Sequence, residues 1–230
     1  MGDPDLSRAI RYGVLVEDLE HEIEIRRSRF ICHLSRVESS EDARAFVELV
    51  RADHRLARHH CTAFVLGPDR MTRRSNDDGE PSGTAGVPML EALAQFTRPG
   101  EQEADLSDAI AVVVRYFGGV LLGAGGLVRA YSDAVSQTLL RARFATRQRM
   151  RLLELPAPHS AAGRWENDLR ASGLEVLGTD YLAEHARIRL AVEDDPESIG
   201  AARRRIASMT QGEAAAADAG TSWVDLPAVR

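Results

Sequence analysis

Three short segments carry residue types that could do chemistry. The first, Ser75-Asn76-Asp77-Asp78-Gly79-Glu80-Pro81-Ser82-Gly83-Thr84-Ala85-Gly86, puts the carboxylates of Asp77, Asp78 and Glu80 within four residues. Clustered carboxylates beside backbone carbonyls suit a hard cation such as magnesium or calcium, and through it a hydrolase or phosphotransferase. The competing reading is a self-closing turn or partner contact. Asn and Asp side chains accept from backbone N–H groups just downstream, so Asn76 to Gly79 can close a tight turn unaided. Glu80, ahead of Pro81, is pushed to an extended conformation that aims its carboxylate away from the turn.

The second segment is His59-His60-Cys61. On a strand, neighbours face opposite sides, so His59 and His60 cannot chelate one ion together. His59 and Cys61 share a face, but two ligands make a poor zinc site. A structural or lining role is expected for both histidines. The third segment is the glycine-rich loop from Gly118 to Gly126, flanked by Arg115-Tyr116 and by Arg129. It leads into a helix, whose first N–H groups and positive dipole end attract anions. Gly118, Gly119, Gly123, Gly125 and Gly126 allow close backbone approach, and Arg115 and Arg129 could add forked contacts. The rival reading has the glycines serve tight packing, with both arginines pairing the acidic turn internally. Ser132 sits in no nucleophile elbow, and Cys61 lacks a Cys–His signature. No residue is assigned as catalytic, and no metal or cofactor is expected.

The elements that must position these segments follow from periodicity. Residues 12–25 alternate like a strand, and Arg26 to Leu34 continues the pattern. Ser39-Ser40-Glu41-Asp42 is a capping signal for a helix with Ala43, Phe46, Val47 and Val50 on one face. His59 to Leu66 is a strand, followed by a polar loop from Arg70 to Gly86. A helix is expected from Pro88 to Phe96, with Pro88 at its first position. Ala109 to Phe117 is a buried strand, and a long helix follows the glycine loop as far as Arg143. A break is expected at Ala145 to Gln148. Beyond it come a strand (149–155), a helix (160–171), two strands (174–182 and 184–192), a helix (196–209) and a closing strand (221–226). That β-α-β-β-α-β order is the ferredoxin-like pattern.

Composition narrows the function classes. The 230 residues are 44% hydrophobic and 28% charged, which fits a soluble protein large enough for two cores. No apolar run approaches the ~18 residues of a membrane span. Met-Gly-Asp-Pro-Asp-Leu at the N-terminus lacks an apolar signal region, and Cys32 and Cys61 read as free thiols of a reducing cytosol. A cytoplasmic location is therefore expected. Every basic residue is arginine, which excludes a Walker phosphate loop and lysine nucleophiles. The net charge of −6 argues against a whole-surface nucleic-acid binder. The run Arg141, Arg143, Arg147, Arg149, Arg151 leaves a local RNA contact open.

The acidic motif, followed by Arg115-Tyr116-Phe117-Gly118-Gly119 and by Leu122-Gly123-Ala124-Gly125-Gly126-Leu127-Val128-Arg129-Ala130-Tyr131-Ser132, resembles the IMPACT/YigZ family. Its hallmarks are DGEPSGTAG, RYFGG and LGxGGLVRAYS, in that order. Ser28-Arg29-Phe30-Ile31 matches a further family element. The chain departs from the pattern at Arg58-His59-His60-Cys61, where the family has Thr-His-Asn-Cys. It also departs at Leu121, where lysine is usual, and at Val114 and Ala124, where threonine is frequent.

The resemblance implies an α+β fold with two domains. One, residues 1–146, would be similar to domain 2 of ribosomal protein S5. The other, 147–230, would be ferredoxin-like, similar to the C-terminal domain of elongation factor G. It also implies regulation of translation through a protein or ribonucleoprotein partner, as eukaryotic members bind a regulator of a translation-factor kinase. The residues expected to meet a ligand or partner are Asp77, Asp78, Glu80, Ser82, Thr84, Arg115, Tyr116, Gly125, Gly126, Arg129, Ser132, His59 and His60. A metal-dependent enzyme using Asp77, Asp78 and Glu80, and an RNA-binding module, are the alternatives.

Overall fold

In the computed structural model, which describes residues 9–226, the apolar run at β6 (Ala109–Tyr116) forms the central strand of the first half. It is buried on both sides because helices cover both faces of its sheet. Ala109, Ala111 and Val113 pack with Met89 and Leu93 of α2 (Gly86–Gln95) and with Leu127, Tyr131 and Val135 of α3 (Ala124–Leu139). The alternate residues Ile110, Val112 and Val114 pack with Ala43 and Val50 of α1 (Ser40–Asp53). The sheet is antiparallel, in the order β2 (Leu19–Ile25), β3 (Ser28–Arg36), β6, β4 (His59–Leu66), β5 (Thr72–Asn76). Helix α1 starts where the capping signal puts it: the Ser39 hydroxyl oxygen accepts from the Asp42 N–H at 3.0 Å.

The second half runs β7 (Phe144–Ala157), α4 (His159–Ala171), β8 (Glu175–Tyr181), β9 (Ala186–Glu193), α5 (Pro196–Met209) and β10 (Ala217–Leu226). Its strands lie in the order β10-β7-β9-β8. Leu153, Leu155, Ile188 and Leu190 share one face with Trp165 and Leu169 of α4 and Ala202 and Ile206 of α5. The chain divides into two compact units, with the division between Arg147 and Gln148. Both units mix sheet and helix, so the fold is α+β.

Four sequence expectations are corrected. The strand expected at 149–155 is longer, since β7 runs from Phe144 to Ala157 and passes through the expected break, inside which the two units divide. β1 (Arg11–Leu15) neighbours β7 in the hydrogen-bonded order. The arginine-rich start of β7 reads as polar, but Arg147 lies against Glu38 at 3.2 Å and so tolerates partial burial. Helix α3 ends at Leu139 rather than Arg143. Within the expected 70–86 loop, β5 pairs with β4 as an exposed edge strand, which gives no apolar alternation to read. Pro88 is the third residue of α2, not the first, still within the turn where a missing N–H costs nothing.

Among the described residues, no helix is long and apolar enough to cross a membrane. The N-terminal hexapeptide behind the no-signal expectation lies outside the described residues.

Trp165 is fully buried, and its indole N–H has no hydrogen-bond partner among the described residues. Trp165→Ala should lower the unfolding free energy by about 3–5 kcal/mol in urea titrations followed by circular dichroism. Trp165→Phe should cost clearly less, because it also removes an unpaired buried donor. Equal losses would show that the N–H is satisfied in solution.

Candidate functional site

The acidic turn folds onto itself. Asn76 Oδ1 accepts the Asp78 N–H at 2.7 Å, and the Asp78-Gly79 pair takes positive φ values of 43° and 85°. Asp77 turns inward: Oδ2 accepts from Gly83 N–H at 2.8 Å, and Oδ1 from Ala85 and Gly86 N–H at 3.0 and 2.8 Å. Ala85 caps α2 without any side-chain bond of its own. Asp77 therefore fills the anion position at the start of that helix. Burial alone would raise its pKa, but the three N–H bonds outweigh it and hold the carboxyl below the usual range. Gly86 permits the closure, since a Cβ there would stand 2.8 Å from the Asn76 nitrogen. Thr84 Oγ1 donates to the Pro81 carbonyl at 2.6 Å.

Asp78 and Glu80 leave the turn in other directions. Asp78 Oδ2 accepts the His60 N–H at 2.7 Å, and Oδ1 accepts from Arg51 of α1 at 3.0 Å. Its carbonyl lies 2.8 Å from His59 Nδ1. Glu80 enters the core between β6 and α3. Oε1 accepts from Arg115 Nη1 at 2.6 Å and from the Tyr131 hydroxyl at 2.8 Å. The side chains of Glu80 and Arg115 are only 4% and 8% exposed. The Arg115 guanidinium lies 5.5 and 5.6 Å from the ring centres of Phe30 and Phe117. Phe30 meets Tyr131 edge-on at 5.2 Å. Burial, then Cys61 and Glu80, holds the Tyr131 phenol well above its ordinary pKa. Burial pushes the Cys61 thiol up to about 12, and its Sγ donates to the Asp77 carbonyl at 3.0 Å. A neutral, buried thiol is no nucleophile.

The three carboxylates thus diverge onto separate partners instead of converging on one ion. Arg115 pairs the acidic turn internally, but Arg129 does not. It is exposed on α3, with no hydrogen-bond or ion-pair partner among the described residues. Asp78 engages α1, on the other face of the sheet from α3, whereas Glu80 of the same turn reaches Arg115 and Tyr131. Tyr116 also points to the α1 face, 3.1 Å from His54 Nδ1, because neighbours on β6 alternate. Gly125 and Gly126 sit in the first turn of α3, capped by Gly123 at φ 71° without a side-chain bond. Ser82 is exposed and Ser132 half-buried. The basic run is largely neutralised: Arg143 meets Glu17 at 2.7 Å, and Arg151 meets Asp194 at 2.8 Å and Asp218 at 3.3 Å. Tyr131, Arg51 and His54 were not singled out from sequence. Tyr131 stands inside a recognised motif, but nothing local marks it as the partner of a carboxylate 51 positions earlier.

The family model of the Impact N-terminal domain matches residues 26–139, a span that contains the whole acidic turn, Arg115 and Tyr131. The IMPACT family member YvyE of Bacillus subtilis is 43% identical over 183 residues, 80% of each chain. This chain belongs to the IMPACT family. The family member YigZ of Escherichia coli is 52% identical over 118 residues, 50% of this chain and 54% of that protein. A crystal structure described as that of a hypothetical protein superposes with a TM-score of 0.56 at 33% identity, over 90% of this chain and 96% of the other. In this IMPACT protein the motif's acids serve the architecture of the turn.

Two outcomes follow for this IMPACT turn. Glu80→Ala strands a buried guanidinium and should cost about 3–5 kcal/mol. The Glu80→Leu/Arg115→Met pair should lose less than the sum of its single changes, as read by a double-mutant cycle in urea. Asp77 has a depressed folded pKa, so its contribution is fully present above the unfolded value near ~3.9 and is lost as pH falls through the lower folded one. Asp77→Asn should therefore lower stability at neutral pH and flatten the acid limb below about pH 4. An unchanged acid limb in denaturation scans would contradict this.

Proposed function

We propose that this protein regulates translation in the cytoplasm by binding a protein or ribonucleoprotein partner, and that its glycine-rich loop is the contact surface. In this reading the first unit is an S5 domain 2-like fold (residues 1–146) and the second a ferredoxin-like domain (147–230), as in the C-terminal part of elongation factor G. The order β10-β7-β9-β8 with two helices on one face supports the second assignment.

The observation that carries the binding reading is where side chains are spent and where they are free. Asp77, Asp78 and Glu80 are consumed by the turn, Arg51 and Arg115, which removes the support for a metal-dependent hydrolase or phosphotransferase at that loop. Beside them, Phe117 is 56% and Leu121 81% exposed, with Val120, Val128 and Arg129 also open to solvent. Large apolar side chains on a loop around a helix start suit a protein surface, with Arg129 and Arg26, the latter 3.4 Å from the Leu121 carbonyl, at its edge. Leu121 stands where the family pattern usually has lysine, so the contact here is apolar rather than charged. The remaining residues on this side, Gly125, Gly126 and Ser132, would let the partner approach the backbone of α3.

Sucrose-gradient fractionation of cell extract tests this. The protein should co-sediment with ribosomal or translation-factor fractions, and Phe117→Ser/Leu121→Asp should lose that association tenfold or more while unfolding as the parent does. Co-sedimentation that vanishes with ribonuclease and survives the double substitution would favour RNA instead. No association of the unaltered protein with either fraction would overturn the proposal.

A further inference from the structure

On the α1 face of the sheet, ligand-type side chains from three elements converge. Glu20 of β2 stands opposite His33 of β3 in the strand register, so the two share a face. His54 caps the C-terminal end of α1, its N–H bonded to the Val50 carbonyl at 3.0 Å. Its own carbonyl accepts the Ala57 N–H at 3.0 Å and lies 3.2 Å from His60 Nε2. One donor atom each from Glu20, His33 and His54 lie within 4.8 Å of one another.

The two rings face each other in a particular way. His33 Nε2 and His54 Nε2 are 3.1 Å apart. The far nitrogen of the His54 ring is held from outside, 3.1 Å from the Tyr116 hydroxyl, and Glu20 Oε2, the third donor, lies 3.5 Å from His33 Nδ1. Metal-bound histidines are oriented in this manner, one nitrogen on the ion and the other on an oxygen partner. Two nitrogens bound at 2.0–2.1 Å to a tetrahedral zinc ion stand about 3.3 Å apart. A shift of a few tenths of an ångström would therefore replace the proton shared by the two rings with a cation. The Glu20 side chain is 61% exposed and that of His33 13%. Glu20 can swing from its place beside His33 into the coordination sphere, and water reaches the remaining position from the same side.

We propose that Glu20, His33 and His54 bind a divalent transition-metal ion, with zinc(II) the best match to two imidazoles and a carboxylate. The ion would clamp the end of α1 to the β2–β3 hairpin. This site is independent of the proposed partner surface and involves none of its residues.

Metal-free full-length protein titrated with zinc in a calorimeter should take up one ion per chain in a tight class, and cobalt(II) should give the visible spectrum of a four-coordinate site. His33→Ala and His54→Ala should each weaken binding at least tenfold, and Glu20→Gln should weaken it to a smaller extent. His159→Ala, at an exposed histidine of the second unit, should leave it unchanged. If either alanine variant folds poorly, cobalt added to the unaltered protein should still displace the His33 and His54 ring proton resonances selectively. Zinc uptake undiminished in the His33→Ala/His54→Ala variant, the absence of a stoichiometric class, or cobalt shifts spread evenly over the seven histidines would overturn the proposal.

Discussion

A carboxylate and a guanidinium lie buried together at Glu80 and Arg115, 2.6 Å apart, with the Tyr131 hydroxyl closing the network. Removing two charges from water is expensive, and their attraction restores the balance only when geometry is good and the remaining lone pairs are met. Tyr131 meets one of them, and the rings of Phe30 and Phe117 supply the guanidinium with π faces. Against a hydrophobic substitute of similar volume, such a pair is worth little net free energy. Its effect is on position: Glu80 can be in the core only if residues 77–86 cross the end of the sheet along one path.

The rest of the turn depends on that path. With Glu80 anchored, Asp77 falls where it can accept three backbone N–H groups and cap α2 from eight residues away. Asp78 falls where it can tie His60 and Arg51. One anchored carboxylate thereby connects β4, β6, α1, α2 and α3. The same anchoring holds Arg115 at the mouth of the glycine-rich loop. In the loop beyond it, Arg26 reaches the Leu121 carbonyl at 3.4 Å, and the side chains of Leu121, Val128 and Arg129 stand at the exposed edge. A rigid base beneath an open loop is what presenting a binding surface requires.

The histidine cluster sits on the opposite face of the same sheet, reached through the neighbouring residue of β6. Arg115 points to α3 and Tyr116 to α1, so one dipeptide supports both the acid-anchored turn and the ring of His54. The strand's two-residue period is the physical reason that the neighbours Arg115 and Tyr116 serve two separate environments.

The sequence by itself determined the periodic elements, because burial imposes its spacing locally: β4 spans His59 to Leu66 and α5 spans Pro196 to Met209, as the pattern requires. It determined family membership through several motifs in order, and it excluded lysine chemistry outright. It did not reveal β5 or the true extent of β7. Those strands are held by pairing and by arginine–acid contacts that have no apolar signature. Which carboxylate meets which cation was decided only by the tertiary structure. Asp77, Asp78 and Glu80 look alike in sequence, yet one caps a helix, one bridges to α1 and one is buried with Arg115. Glu20, His33 and His54 are likewise separated along the chain. Only the β2–β3 register and the end of α1 bring them together, since a contact between distant residues is set by packing and leaves no trace in local spacing.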